Sequence, residues 1–286
     1  MKLLLLLLAV IKSSGSIKIA CDYDYTCTIE QLTTSQQLHH LATYSFGDAG
    51  MIKLIDSLVP PEAISSFQPI VNYLILERCP LETVRLWQMR IPVFSFDVLR
   101  NMEKLNGIEL SYNRIERLQL SPNASCCQNL TLLDLSFNRL STIDCALLSS
   151  MQALTVLQLS SNVIQELYGS LHLPNLTELD LSNNRIKSID LCQWQIGSLK
   201  VLNVINNRIE HLFDCLRELQ NLKTFQIAGN ALTQLDFASF AQLRLVLLNF
   251  SRNRIEIVHN RNAVWPKTVC IKLNGNPVAR NTTDLC

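Results

Sequence analysis

Apolar and polar positions alternate along this chain in one recurring string, LxxLxLxxNxL. It reads LNGIELSYNRI at 105–115, LTLLDLSFNRL at 130–140, LTVLQLSSNVI at 154–164 and LTELDLSNNRI at 176–186. It continues as LKVLNVINNRI at 199–209, LKTFQIAGNAL at 222–232, LVLLNFSRNRI at 245–255 and a degenerate TVCIKLNGNPV at 268–278. The asparagines Asn113, Asn138, Asn162, Asn184, Asn207, Asn230, Asn253 and Asn276 are 25, 24, 22, 23, 23, 23 and 23 residues apart. Each LxL core predicts a short strand with its apolar residues inward and the intervening ones outward. A coil of this length cannot bury its own apolar face, whereas stacked coils can, so the pattern predicts a parallel sheet running through a solenoid. Each asparagine falls where the chain leaves the strand, and its amide is expected to satisfy buried backbone groups. The column therefore reads as scaffold. Weaker copies stand at 71–81 (Cys79 in the asparagine slot) and 49–59 (Ser57 there). The 34 residues between Cys79 and Asn113 imply an insertion or a decayed copy. About ten coils are expected in all.

The outward positions form columns. The middle one holds Lys53, Ile75, Glu109, Asp134, Gln158, Asp180, Asn203, Gln226, Asn249 and Lys272. A neighbouring one holds Tyr112, Phe137, Ser161, Asn183, Asn206, Gly229 and Arg252. A mildly acidic centre beside two aromatics suits a protein partner, so Glu109, Tyr112, Asp134, Phe137, Asp180, Asn183 and Asn206 are the candidate contact residues. Arg114, Arg139, Arg185, Arg208 and Arg254 follow the asparagines, with Glu116, Glu210 and Glu256 two residues further on. That stripe reads as a solvated charge ladder; the other reading is a surface for a sulfated or phosphate-bearing ligand.

Met1-Lys2 followed by the apolar run Leu3 to Ile11 has the layout of a secretory signal, too short for a membrane span, with the cut expected after Ser16. The chain divides accordingly into signal 1–16, N-terminal cap 17–48, repeats 49–278 and short C-terminal cap 279–286. Net charge is +1, and losing Lys2 and Lys12 leaves 23 basic against 24 acidic residues, a net −1. With no field of one sign, the chain as a whole is not built for nucleic acid. Ten cysteines suit an oxidising compartment. Cys192 and Cys215 each lie eight residues past their repeat asparagine and so share a position on adjacent coils, which makes them the leading disulfide pair. Cys21 with Cys27 and Cys270 with Cys286 are expected to staple the two ends. One of Cys126 and Cys127 is expected to meet Cys145. Cys79 and the remaining one pair with each other, stay free or join a second chain. Sequons mark Asn123, Asn129, Asn175, Asn249 and Asn281 for glycosylation. If Asn249 carries a glycan, the C-terminal third of the sheet is obstructed and binding moves to the central coils.

Catalysis finds no motif: His39, His40, His172, His211 and His259 lack metal-ligand spacing, and there is no nucleophile elbow, P-loop or dinucleotide-binding glycine pattern. No enzyme activity, cofactor or metal is expected.

Runs such as ELDLSNNRIKSID and VLLNFSRNRIEIV resemble extracellular leucine-rich repeat proteins of insect type. They are similar to Toll-type receptor ectodomains and to the secreted leucine-rich repeat immune proteins of mosquitoes, over roughly residues 49–278. The resemblance implies an α/β solenoid, a leucine-rich repeat arc with a parallel concave sheet and disulfide-stapled ends. It also implies a secreted innate-immune factor that binds an extracellular protein, and a covalent or non-covalent dimer with a related repeat protein. The adjacent Cys126-Cys127 matches the mosquito pattern, but lies between repeats rather than after them, and no coiled-coil heptads follow. Alternatives are an adhesion or developmental signalling ectodomain, or a matrix glycan-binding protein.

Overall fold

A computed structural model describes the strands Lys18–Cys21, Thr26–Glu30, Met51–Ile55, Tyr73–Glu77 and Thr83–Arg85 and residues 92–99, 102–121, 126–260 and 269–278. The signal segment 1–16, Cys79, Asn123, Asn281 and Cys286 lie outside the described residues. The chain forms two compact units, Met1–Cys127 and Gln128–Cys286.

In the first unit, β1 (Lys18–Cys21) and β2 (Thr26–Glu30) run antiparallel, with Cys21 opposite Cys27. β3 (Met51–Ile55) and β4 (Tyr73–Glu77) extend this sheet in parallel, and Lys53 stands opposite Ile75. β5 (Thr83–Arg85) then pairs in parallel with β7 (Gly107–Glu109), and β6 (Val93–Ser95) with β8 (Arg117–Gln119). The β5–β7 register, Val84 to Ile108, is a shift of 24 residues, which is the repeat period. The long gap before Asn113 thus contains a decayed copy, LETVRLWQMRI at 81–91, with Met89 in the asparagine slot. The Asp97 carboxylate ties successive coils by accepting from the Ser121 N–H at 3.1 Å and from the Ser121 hydroxyl.

In the second unit, seven strands run parallel and in step. They are β9 (Leu132–Asp134), β11 (Val156–Gln158), β14 (Glu178–Asp180), β16 (Val201–Asn203), β17 (Thr224–Gln226), β19 (Leu247–Asn249) and β21 (Cys270–Lys272). Their middle residues Leu133, Leu157, Leu179, Leu202, Phe225, Leu248 and Ile271 are buried, and their outer ones half-buried. A second tier of short parallel pairs closes the other side of the coils. It joins Thr142–Asp144 to Glu166–Tyr168, Leu171–His172 to Trp194–Gln195, and Gln234–Asp236 to Ile257–His259. The fold is a parallel-strand solenoid of about seven turns, the seven in-step strands of the second unit, while β3 and β4 sheet with β1 and β2 in the first.

The asparagine column does the work its position predicts. Asn184 Nδ2 donates to the carbonyls of Leu159 (2.9 Å), Leu181 (3.0 Å) and Ser182 (3.2 Å), while its Oδ1 accepts from the Ile164 N–H at 3.0 Å. Asn162, Asn207, Asn230 and Asn253 repeat this set, so one amide bridges two coils at every turn. Toward the C-terminal end the leucines give way to rings. Phe225 packs against Phe213, Phe240 and Phe250 at centroid distances of 6.2, 6.0 and 6.3 Å.

Candidate functional site

Since the middle residue of each strand points inward, the first and third residues form the open face of the sheet. The register aligns Asp134, Gln158, Asp180, Asn203, Gln226, Asn249 and Lys272 as the third-residue column of the second unit. Several of these side chains also serve the scaffold. Asp134 Oδ1 accepts from the Ser136 N–H and Asp180 Oδ1 from the Ser182 N–H, each at 2.8 Å. Asn203 and Asn249 hold the N–H two residues on in the same way, at 3.1 and 3.2 Å. The short Asx side chain reaches that N–H, whereas Gln158 and Gln226 in the same column, one methylene longer, do not make this bond. Charge reversal at Asp134 or Asp180 would therefore perturb the turn as well as the face, whereas Asp→Asn retains the acceptor.

The first-residue column, Leu132, Val156, Glu178, Val201, Thr224, Leu247 and Cys270, was not among the sequence candidates. Four of its seven members are aliphatic and half-exposed, and Val246 beside Leu247 is 54% exposed. The signal was present in the repeat string: the third position of each copy faces outward, so a leucine or valine there is surface rather than core.

The second candidate column has a backbone property in common. Phe137, Ser161, Asn183, Asn206 and Arg252 all have φ between 54 and 56°, and Gly229 has 67°. Glycine and asparagine tolerate this left-handed conformation, whereas a bulky side chain costs about 1–2 kcal/mol there. Asn206 Nδ2 donates to Asn183 Oδ1 at 2.9 Å, and a Cβ on Gly229 would meet Asn206 Oδ1, so a side chain there would displace the Asn206 amide. Phe137 nonetheless carries an aromatic ring with 45% of its surface exposed. Glu109 and Tyr112 lie in the first unit. Glu109 stands opposite Arg85 in the β5–β7 register, and Tyr112 repeats the Phe137 condition with φ 58° and 55% exposure.

Cys192 and Cys215 are joined on adjacent coils, with Cα atoms 5.1 Å apart. Cys126 and Cys127 bond to each other, which corrects the expected bridge to Cys145; the bond between neighbours in sequence leaves Cys145 a free buried thiol. Burial pushes the Cys145 thiol up to about 12, and the adjacent Asp144 carboxylate adds to the rise. Iodoacetamide at pH 8.5 is accordingly expected to leave Cys145 unmodified in the native protein and to label it fully in denaturant. Peptide mass mapping reads the result, and native labelling would show that the helix Cys145–Leu148 opens readily. Cys270 is disulfide-bonded. Among the sequons, Asn129 and Asn175 are exposed, and Asn249 lies on the sheet face with its oxygen capping Ser251.

Among the described residues no group of three His, Cys, Asp or Glu side chains is placed to hold a metal, and no helix is long and apolar enough to cross a membrane. Three acidic residues outside the face cap short helical turns instead. Asp144, Asp190 and Asp236 accept from the N–H groups of Ala146, Cys192 and Ala238. A hydrogen bond from Asn260, then the one from Ala238, holds the Asp236 carboxyl below its ordinary range.

The leucine-rich repeat family matches residues 128–186, and its two-copy form matches 174–213. The fold is the leucine-rich repeat solenoid. Both matches fall in the second unit, where strand register and asparagine bonding are most regular. No curated protein matches the chain in sequence. Among solved structures, a leucine-rich repeat protein of Leptospira interrogans is 19% identical with a TM-score of 0.50, over 85% of this chain and 58% of that one. The leucine-rich repeat domain of mosquito APL1 is 19% identical with a TM-score of 0.50, over 87% of this chain and 75% of that one. Drosophila Toll, in its complex with Spatzle, is 18% identical with a TM-score of 0.48, over 87% of this chain and 42% of that one. At these identities the likeness is one of fold. The chain spans little more than half of the Leptospira protein and less than half of Toll.

Proposed function

We propose that this is a secreted, glycosylated leucine-rich repeat protein that recognises another extracellular protein through the open face of its long sheet, in innate immunity. The carrying observation is Phe137. An exposed ring is kept in a backbone conformation that disfavours it, at a position where the following coils, Arg252 apart, use serine, asparagine or glycine. The half-open ring, held in that conformation on the sheet side, supports a role in contact with a partner. Around it the second unit supplies what a protein interface needs. The aliphatic column Leu132, Val156, Val201 and Leu247 offers apolar area, and Asp134, Asp180, Asn183 and Asn206 offer polar contacts. Because Asp134 and Asp180 are already held by backbone N–H groups and Asn183 and Asn206 by each other, binding costs them little further ordering. Glu109 and Tyr112 extend the candidate set in the first unit. A glycan on Asn249 would confine contact to the coils before it. The apolar run Leu3 to Ile11 and the Cys192–Cys215 bond support an exported protein. The immune setting rests on the insect-type resemblance of the repeats.

Phe137→Asn separates stability from recognition. Relief of the left-handed strain is expected to raise unfolding stability by about 0.5–1 kcal/mol, while capture of a partner from the source organism's extracellular fluid falls at least about tenfold. Val156→Lys, on the aliphatic column, should lose the same partner. A partner held equally by wild type and both variants would remove the sheet face as the recognition surface. One released only by reductant would place the link at a cysteine.

A further inference from the structure

A second surface of the repeat unit has its own chemistry. The residue after each repeat asparagine forms a row fixed by the backbone. The N–H of Val163 donates to Leu140 O, that of Arg185 to Ile164 O and that of Arg208 to Ile186 O, at 3.1, 2.8 and 2.8 Å. The N–H of Ala231 donates to Ile209 O and that of Arg254 to Leu232 O, both at 2.9 Å. Six coils in sequence therefore present Arg139, Val163, Arg185, Arg208, Ala231 and Arg254 in one line. At the ~4.8 Å spacing of neighbouring strands, the four guanidiniums recur at intervals of roughly 10, 5 and 10 Å. All four are exposed.

The glutamates two residues past Arg208 and Arg254 do not pair with this row among the described residues. Glu210 and Glu256 are exposed on the same coils, yet the ion pair found among the described residues is Arg217 with Glu218 at 4.0 Å, outside the row. Lys187 adds a further cation two residues past Arg185. On a chain whose formal charge is only +1, this edge is locally cationic, rigid and periodic.

We propose that the row Arg139, Arg185, Arg208 and Arg254 binds a linear sulfated polysaccharide lying along the stack of coils. A guanidinium offers a planar fork of donors that matches an oxyanion in two bonds, and it stays charged at every physiological pH. A single small anion would use one coil or two. Four cations spread along six coils at multiples of one coil spacing instead fit a polymer that carries its anionic groups repeatedly. The positions between the arginines are Val163 and Ala231, which offer no ring on which a base could stack, so the row favours a sulfated glycan over single-stranded nucleic acid. The site is separate from the sheet face and does not depend on how that face is used.

The test is retention of the intact protein on immobilised heparin across a salt gradient, with titrations at several salt concentrations. Wild type is expected to bind at 0.15 M salt. Arg185→Gln/Arg208→Gln is expected to weaken binding at least about tenfold and to lower the log–log salt slope by roughly 1.5 to 2, since each fixed cation displaces condensed counterions. Arg217→Gln/Arg244→Gln removes the same charge outside the row and should bind like wild type. All four side chains are exposed, so unchanged unfolding midpoints confirm that each variant folds. Equal loss in both double variants would reduce the effect to net charge and overturn the proposal, as would failure of wild type to bind at 0.15 M salt. Stronger binding to a single-stranded DNA or a polyglutamate of matched charge, with the same arginine dependence, would assign the row to another class of partner.

Discussion

Phe225→Ala is expected to destabilise the repeat unit by about 3–5 kcal/mol, the cost of emptying a buried phenylalanine site that cannot collapse. Phe225 is fully buried and its ring touches three others, Phe213, Phe240 and Phe250. Phe240 and Phe250 also meet each other at 5.7 Å, which holds them in place and leaves a void where the central ring is removed. Phe225→Leu makes the diagnostic comparison. Leucine fills the equivalent slot as Leu133, Leu157, Leu179 and Leu202, so the backbone accepts it and the loss should be only about 1–2 kcal/mol. Urea unfolding followed by circular dichroism measures both. If alanine and leucine cost the same, the aromatic packing is not what stabilises this end of the solenoid.

Asn184→Ala should cost about 2–4 kcal/mol although it removes no apolar contact of consequence. Its amide makes four bonds in a nearly water-free site, but their loss is not felt equally. Leu159 O still accepts from Asn162, Leu181 O from Asn207, and Ser182 O from the Ser161 N–H. The Ile164 N–H loses the acceptor recorded for it, and a buried donor left in that state costs about 1–3 kcal/mol. Weakening of the shared carbonyl bonds and the small cavity supply the rest. The control is Asn175→Ala. Asn175 is exposed and its amide bond to Gln152 O lies at the surface, so the change should stay within about 0.5 kcal/mol. Since each amide bridges two coils, Asn184→Ala is also expected to broaden the unfolding transition by weakening nearest-neighbour coupling. A sharp, unshifted transition would refute the bridging role.

Much of this architecture was legible because a repeat reports the same physical demand many times over. One LxxLxLxxNxL string is weak; eight at 22 to 25 residues specify which side chain points inward, which outward and where the asparagine stands. The equal offset of Cys192 and Cys215 put them on adjacent coils, where they are bonded. The decayed copy at 81–91 escaped because Met89 replaces the residue that marks the register, and a 24-residue strand pairing was needed to recover it. The aliphatic column escaped for the opposite reason: its leucines and valines obey the pattern of core residues while facing outward.

The amino-acid sequence by itself determined the repeat, its period, the inward and outward sets and the asparagine ladder, because these follow from local alternation and from the need to pair buried amides. Only the tertiary structure decided that the solenoid has about seven turns, that Cys126 and Cys127 close on each other, and that Phe137 sits in a left-handed turn. It also decided that Arg139, Arg185, Arg208 and Arg254 stand in line, unpaired with Glu210 and Glu256. These outcomes depend on which coil lies beside which and on distances between side chains many residues apart, quantities that a one-dimensional pattern of polarity does not contain.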